Sequence, residues 1–162
     1  MEEQVVVKAV KIADQYVVVS AMMRELHRHE HSLFDKTAAW TDIERNYMRH
    51  IINMQDECEG TCMVAYDGEK PVGFIFGYVE DQDDSRIEVY LGKELYVSDG
   101  YVAPDARGKG VYRKLNKELE KTYLDKGVRR MCRYTLVNNT KARAFMESEG
   151  YMVTRLLYEK WL

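Results

Sequence analysis

Arg107-Gly108-Lys109-Gly110, followed by Val111-Tyr112-Arg113-Lys114, sets two glycines among basic residues where a strand-like stretch gives way to a helical pattern. Such a junction is a place for an anion. The first turn of a helix has unpaired N–H groups, and its dipole puts roughly half a positive charge there. Gly108 and Gly110 have no Cβ, so the backbone can turn tightly and come close to a phosphate. Arg107, Lys109, Arg113 and Lys114 add charge, and a diphosphate-bearing ligand is the natural guess. Spacing narrows it. A Walker loop needs Ser or Thr after Gly-Lys, whereas Gly110 follows Lys109 here. A dinucleotide fingerprint needs a third glycine where Arg113 stands. On local features alone, a merely structural turn onto a solvated helix stays open.

Other residues that could do chemistry are fewer. His27, His29 and His31 invite a metal reading, and His27 and His31 would share a helix face. No Cys or carboxylate partner is implied, so no metal is expected. Cys58, Cys62 and Cys132 are odd in number and lack zinc spacing, and they read as reduced thiols. Paired methionines (Met22-Met23) with Met48 and Met54 suit core filling better than a cofactor box.

The elements that must position the loop follow from periodicity. Val5 to Ile12 reads as a strand, and Asp14 can cap a helix through about His27. Thr41-Asp42-Ile43-Glu44 is a capping box opening a second helix that ends near Glu57. Thr61 to Tyr66 and Pro71 to Glu80 form a hairpin about Asp67-Gly68, and Glu80 to Asp84 is an acidic loop. Arg86 to Val102 is strand-like but broken at Gly92 and Gly100. Val111 to Tyr123 then makes a helix stopped by Gly127. Val128 to Val137 is a further strand, Asn138 or Asn139 caps a short helix closed by Gly150, and a final strand runs from Tyr151 to about Trp161. The expectation is one domain over 1–162, a mixed α/β sheet with helices on its faces.

Composition bounds the function. With 46% hydrophobic and 31% charged residues, the chain can bury one core without disulfide or metal. A net charge of −3 argues against nucleic acid as a partner and slightly favours a cationic acceptor. The acidic N-terminus Met1-Glu2-Glu3-Gln4 does not read as a cleavable signal, and no apolar run reaches the ~20 residues of a membrane span. A cytoplasmic location, without membrane partners, is expected.

Val102-x-Pro104-x-x-Arg107-Gly-x-Gly110-Val111 resembles the acetyl-CoA pyrophosphate loop of the GNAT acyltransferase superfamily. Asn139-x-x-Ala142-x-x-Phe145-x-x-x-x-Gly150-Tyr151 resembles that family's second cofactor segment. The two lie in the right order with a strand between them, and the element order matches from Val5 to the C-terminus. The resemblance implies a mostly antiparallel sheet of six to seven strands with four helices, splayed between the fourth and fifth strands. It implies acetyl-CoA as cofactor and an N-acetyltransferase acting by direct attack of a small-molecule or peptide amine. Dimers are common among relatives, so the C-terminal strand could pair two copies into a homodimer.

By the same resemblance, Tyr101, Val102 and Ala103 expose backbone groups to the pantetheine arm, and the amides of Arg107, Gly108, Lys109, Gly110, Val111 and Tyr112 hold the pyrophosphate. Asn139 reaches the cofactor and Phe145 packs beside its arm. Gly100 fits the bulge that opens the pantetheine slot, with a hairpin at Ser98-Asp99-Gly100 as the alternative. An alkylamine must lose a proton held with a pKa of about 10.4 before attacking. Asp99 is the first candidate base, Glu94 the second and Glu88 the third, each with a solvated or salt-bridged carboxylate as the alternative. Relatives often carry a Tyr after the Phe of the second segment, whose hydroxyl meets the sulfur; here Met146 cannot donate a proton. Tyr112, Tyr101, Tyr151 or solvent must serve. Tyr112 itself stands where a small residue is usual. The turn after the first helix borders the acceptor site in relatives, so His31, Phe34, Asp35 and Trp40 could touch substrate. A non-catalytic acyl-CoA-binding module on the same fold is the alternative function.

Overall fold

The structure is a computed structural model that describes residues 5–162. Strand β1 (Val6–Val10) leads into two helices, α1 (Tyr16–Leu33) and α2 (Trp40–Glu57). Strands β2 (Thr61–Asp67), β3 (Lys70–Asp81) and β4 (Lys93–Val102) follow as an antiparallel meander. A 3₁₀ turn (Pro104–Ala106) opens onto helix α3 (Val111–Asp125), then strand β5 (Met131–Cys132) and helix α4 (Thr140–Ser148). The five strands lie in the order β1-β2-β3-β4-β5, with only β5 parallel to its neighbour.

The sheet is covered on both faces, so β3 reads as an unbroken apolar run, buried from Val72 to Val79. Alternation sends Ile75 toward α3, where it meets Leu115, Leu119 and Tyr123. Phe74 and Phe76 go the other way, onto Met23, Met48 and Ile51 of α1 and α2. The Tyr123 hydroxyl, inside the first cluster, donates to the Glu59 carbonyl at 2.5 Å, so its burial leaves no polar atom stranded.

Several expectations need correction. The sheet has five strands among the described residues, not six to seven. Val128 to Val137 contracts to Met131–Cys132, because only Leu95 and Tyr96 of β4 pair with it before the strands part. Tyr151 to Trp161 forms no strand: it finds no ladder partner, and Leu156, Leu157 and Trp161 stay largely exposed. Strand propensity without a neighbour to bond does not make a strand. The stretch from Arg86 becomes strand only at Lys93.

Helix starts also differ. Gln15, not Asp14, precedes α1, which runs past His27 to Leu33. Helix α2 begins at Trp40 behind Ala39, so the box at Thr41 does not form; Glu44 instead accepts from the Ser20 hydroxyl at 2.7 Å, tying the two helices together. The β2–β3 hairpin forms as expected, closing on Asp67 and Lys70 with Gly68 at positive φ.

Candidate active site

The glycine loop adopts the shape its composition suggests. Gly108 and Gly110 both have φ of +75°, and nothing lies within 4 Å of where a Cβ would stand. Gly110 is the N-cap of α3, and no side chain caps this end. The first-turn amides therefore face a groove of about 280 Å³ lined by Val102, Arg107, Gly108, Gly110, Tyr112 and Phe145. Uncapped amides over open glycine backbone, with an aromatic wall on one side, fit a diphosphate that continues into a slender organic arm.

The basic residues are less free than the sequence suggests. Arg107 folds back, its Nε donating to the Val102 carbonyl at 2.9 Å and its guanidinium lying over the Tyr101 ring. Arg113 pairs with Glu149 at 2.5 Å, and Lys114 Nζ donates to the Val5 carbonyl. Lys109 makes no ion pair among the described residues. The cradle thus rests on backbone amides and dipole more than on side-chain cations.

Strand β4 passes this groove and carries the bulge. Phe76 pairs with Asp99 and Gly77 with Val97, so Ser98 is the extra residue. The bulge therefore sits before Gly100, not at it, and no hairpin turn occurs there. Gly100 has another task. A Cβ on it would stand 2.7 Å from Tyr112 Cε2 and nearer still to the hydroxyl, so the glycine admits the phenol. Ala103 N–H donates to Val72 O at 2.8 Å. Alternation along the strand then turns the backbone groups of Val102 and Gly100 to the opposite edge, where β5 has already departed. Tyr101 and Ala103 direct theirs to β3, and the Tyr101 ring packs on the α1–α2 side.

Past the bulge, the Asp99 carboxylate faces the other side of the sheet. It accepts from the Tyr47 hydroxyl and from the Ser98 hydroxyl, each at 2.6 Å. Burial pushes its pKa above the usual carboxylate range, while those two hydrogen bonds, His50 and Arg133 pull it down. Asp99 forms one wall of a cavity of about 60 Å³ with His27, Glu30, Trp40 and Tyr47. Glu30 is also raised, by burial first and the Asp99 charge second, with His27 opposing. Trp40 is held between His27 and Tyr47, with ring centroids 5.7 and 6.1 Å away.

The remaining candidates separate from this centre. Glu94 is buried between Arg130 (2.7 Å) and Arg86 (3.3 Å), so its oxygens are committed. It braces β4 against the chain entering β5, and Glu94→Gln should cost about 3 kcal/mol, read as a lower urea midpoint. Glu88 lies in the loop before β4, paired with Arg155. Asn139 caps α4, its Oδ1 accepting from Ala142 N–H at 3.2 Å, and it does not line the groove. Phe145 does, edge-on to Tyr112 at 4.9 Å. His27 Nε2 bonds the Ala38 carbonyl and His31 Nδ1 the Thr37 hydroxyl, so both secure the α1–α2 connection. Burial pushes the thiols of Cys62 and Cys132 up to about 12 and about 11, which leaves them poor nucleophiles. Sequence reasoning missed Glu30, Tyr47 and Arg133, because nothing local marks them.

An uncapped, glycine-fronted helix start beside a bulged strand that parts from its neighbour is an arrangement suited to an acyl-CoA-dependent transferase. The chain belongs to the Acetyltransferase (GNAT) family, whose family model matches residues 21–151. Acetyl-CoA is accordingly its cofactor, and the groove's amides, with Tyr112 and Phe145, are the residues that would hold it. No curated protein matches. Among solved structures, the aminoglycoside N-acetyltransferase AAC(6')-Iy, in complex with CoA, is 14% identical with a TM-score of 0.71, covering 98% of this chain and 95% of that one. A putative acetyl transferase from Pyrococcus furiosus is 16% identical with a TM-score of 0.76, covering 98% and 100%. An integron cassette protein from V. cholerae is 24% identical with a TM-score of 0.70, covering 100% and 93%. These likenesses bear on the fold.

Proposed function

We propose that this single-domain chain is an N-acetyltransferase for a primary amine carried on a slender, cationic arm. The observation that carries the reading is the bulge at Ser98. It places the Asp99 carboxylate in the small cavity on the α1–α2 side, while Gly100 and Val102 present backbone to the cofactor edge. The two half-sites therefore meet across one strand.

Bound acetyl-CoA supplies an activated thioester. The chain's own residues do the rest. Glu30 and Asp99 attract the ammonium group, and the faces of Trp40 and Tyr47 favour a cation. Asp99 takes the proton that the amine must lose; its raised pKa brings it closer to a useful base than an ordinary carboxylate. An outward N–H of β4, at Gly100 or Val102, is placed to stabilise negative charge on the carbonyl oxygen. A cavity of about 60 Å³ admits an aminoalkyl end and rejects a bulky one. Among the structural neighbours are an aminoglycoside acetyltransferase complexed with sisomicin and AAC(6')-Iy complexed with a bisubstrate analogue, CoA-S-monomethyl-acetylneamine, which supports amine acceptors generally.

The test is release of free thiol from acetyl-CoA across a panel of primary amines. Turnover is expected for unbranched aminoalkyl compounds, best when a second positive charge is present. Tight CoA binding without turnover on any amine would favour a non-catalytic acyl-CoA-binding module instead. Trp40→Ala should raise the acceptor KM roughly tenfold, since a desolvated cation–π contact contributes up to about 2 kcal/mol. CoA affinity, measured by calorimetry, should not change.

A further inference from the structure

Helix α4 carries Met146, which cannot donate a proton, after the groove-lining Phe145, yet the gap between β4 and β5 is not without a donor. Tyr112, on the first turn of α3, lays its phenol against Gly100 of β4. Arg133, just past β5, donates from Nη2 to the Tyr112 hydroxyl at 2.5 Å, and its guanidinium lies 5.5 Å from the centre of that ring. Because the phenolic oxygen accepts from Arg133, its hydrogen is left to donate elsewhere.

The state of Arg133 itself calls for an explanation. Its Nε and Nη1 are sealed from solvent and have no hydrogen-bond partner. It makes no ion pair among the described residues. Around it stand two phenols, Tyr112 and Tyr151, and Asp99 acts on it from β4 while bonded to Tyr47 and Ser98. Tyr151 donates its hydroxyl hydrogen to Asn116 Oδ1, at 3.3 Å, and turns its oxygen to the Arg133 guanidinium, a neutral partner that supplies no counter-charge. A sequestered cation without a counter-ion costs several kcal/mol. Such a cost is explicable where an anion arises during the reaction.

We propose that Arg133, acting through Tyr112, stabilises the departing thiolate of CoA in this chain. The inference rests on the acetyltransferase reading and adds the leaving-group side of it. As the amine nitrogen bonds to the acyl carbon, the C–S bond breaks and its electron pair goes to sulfur. Tyr112 gives its phenolic proton to that sulfur, and Arg133 holds the phenolate. The ammonium loses two protons in all. The first leaves to solvent by way of Asp99 before attack. The second, released as the N–C bond forms, takes the same route and is matched by the proton that solvent returns to Tyr112, so atoms and charge balance. Arg133 is a positioning residue here, and Tyr112 is the catalytic one.

The deciding measurement is the ultraviolet absorbance of thiolate for CoA bound to the whole protein, followed against pH. In the unsubstituted protein the bound thiol should titrate clearly below its ordinary value of about 8.5. Arg133→Gln should return it to that value and lower kcat about 100-fold with little change in acetyl-CoA KM. Arg133→Lys should keep part of both effects. Tyr112→Phe provides a second route, with a lowered kcat and a bound thiol that titrates nearer its ordinary value. Affinity for 3′,5′-ADP, which has phosphates but no thiol, should be equal in the unsubstituted protein and both Arg133 variants. The proposal is overturned if Arg133→Gln leaves the thiol titration unchanged, or if it weakens 3′,5′-ADP, which would make Arg133 a phosphate ligand. Normal CoA binding with an unshifted thiol sinks this inference alone. Failure of the unsubstituted protein to bind CoA sinks the reading beneath it.

Discussion

Asp99→Asn should abolish most turnover and make the protein more stable at neutral pH. The carboxylate is buried, and burial is the largest influence on its pKa, outweighing the help of Tyr47, Ser98, His50 and Arg133. A folded-state pKa above the unfolded one means the folded protein binds the proton more tightly. Stability contributed by this group is therefore greatest in acid and is lost as pH rises through the folded value. Replacing the acid with its neutral isostere removes that loss. At pH 7 the variant's Tm should exceed that of the unsubstituted protein, and the difference should shrink toward pH 4. Over the same range kcat with a primary amine should fall by roughly 10²- to 10⁴-fold, the usual worth of a positioned base. CoA affinity should be unchanged, because Asp99 opens onto the α1–α2 cavity and not onto the groove. A variant equally stable at every pH would argue that Asp99 is an ordinary structural acid.

Gly110→Val should strike the other half-site. Gly110 holds φ of +75° as the N-cap of α3, a conformation costly for any β-branched side chain. Relaxing that strain must turn the first-turn amides of Val111 and Tyr112 away from the ligand. Each hydrogen bond to a charged group contributes about 1.5–3 kcal/mol, so losing even one raises the acetyl-CoA KM roughly tenfold or more. Acceptor KM at saturating cofactor should move little. Titrating CoA calorimetrically checks the same effect without turnover. By contrast Arg107→Ala should weaken CoA less, since its guanidinium is already spent on the Val102 carbonyl.

What could be read ahead of the structure divides along the range of the interactions. The cradle was legible because everything it needs is contiguous: two glycines, a helix start and a preceding strand within about a dozen residues. Phe145 was picked out by its motif as a residue beside the cofactor's arm, and it lines the groove, edge-on to Tyr112. The bulge was misplaced by two residues because a bulge is a property of a strand pair. Gly100 looks like a bulge glycine by itself, and only the register with β3 shows that Ser98 is the extra residue. The same reasoning explains the surplus strands. Tyr151 to Trp161 has strand composition but no paired neighbour, and composition cannot report a missing partner.

The local geometry of the proposed donor half was thus determined by the sequence itself. A glycine-rich helix start binds an anion with its own backbone, and backbone geometry over a few residues follows from local residue type. The proposed acceptor half was decided by tertiary structure. Tyr47 reaches Asp99 across 52 positions, and Trp40 and Glu30 join them from separate helices. Arg133 likewise meets Tyr112 across 21 positions, in a gap that exists only because β5 leaves β4 after two pairs. Burial, which raises Asp99 and isolates Arg133, belongs to the packed whole and to no single segment of it.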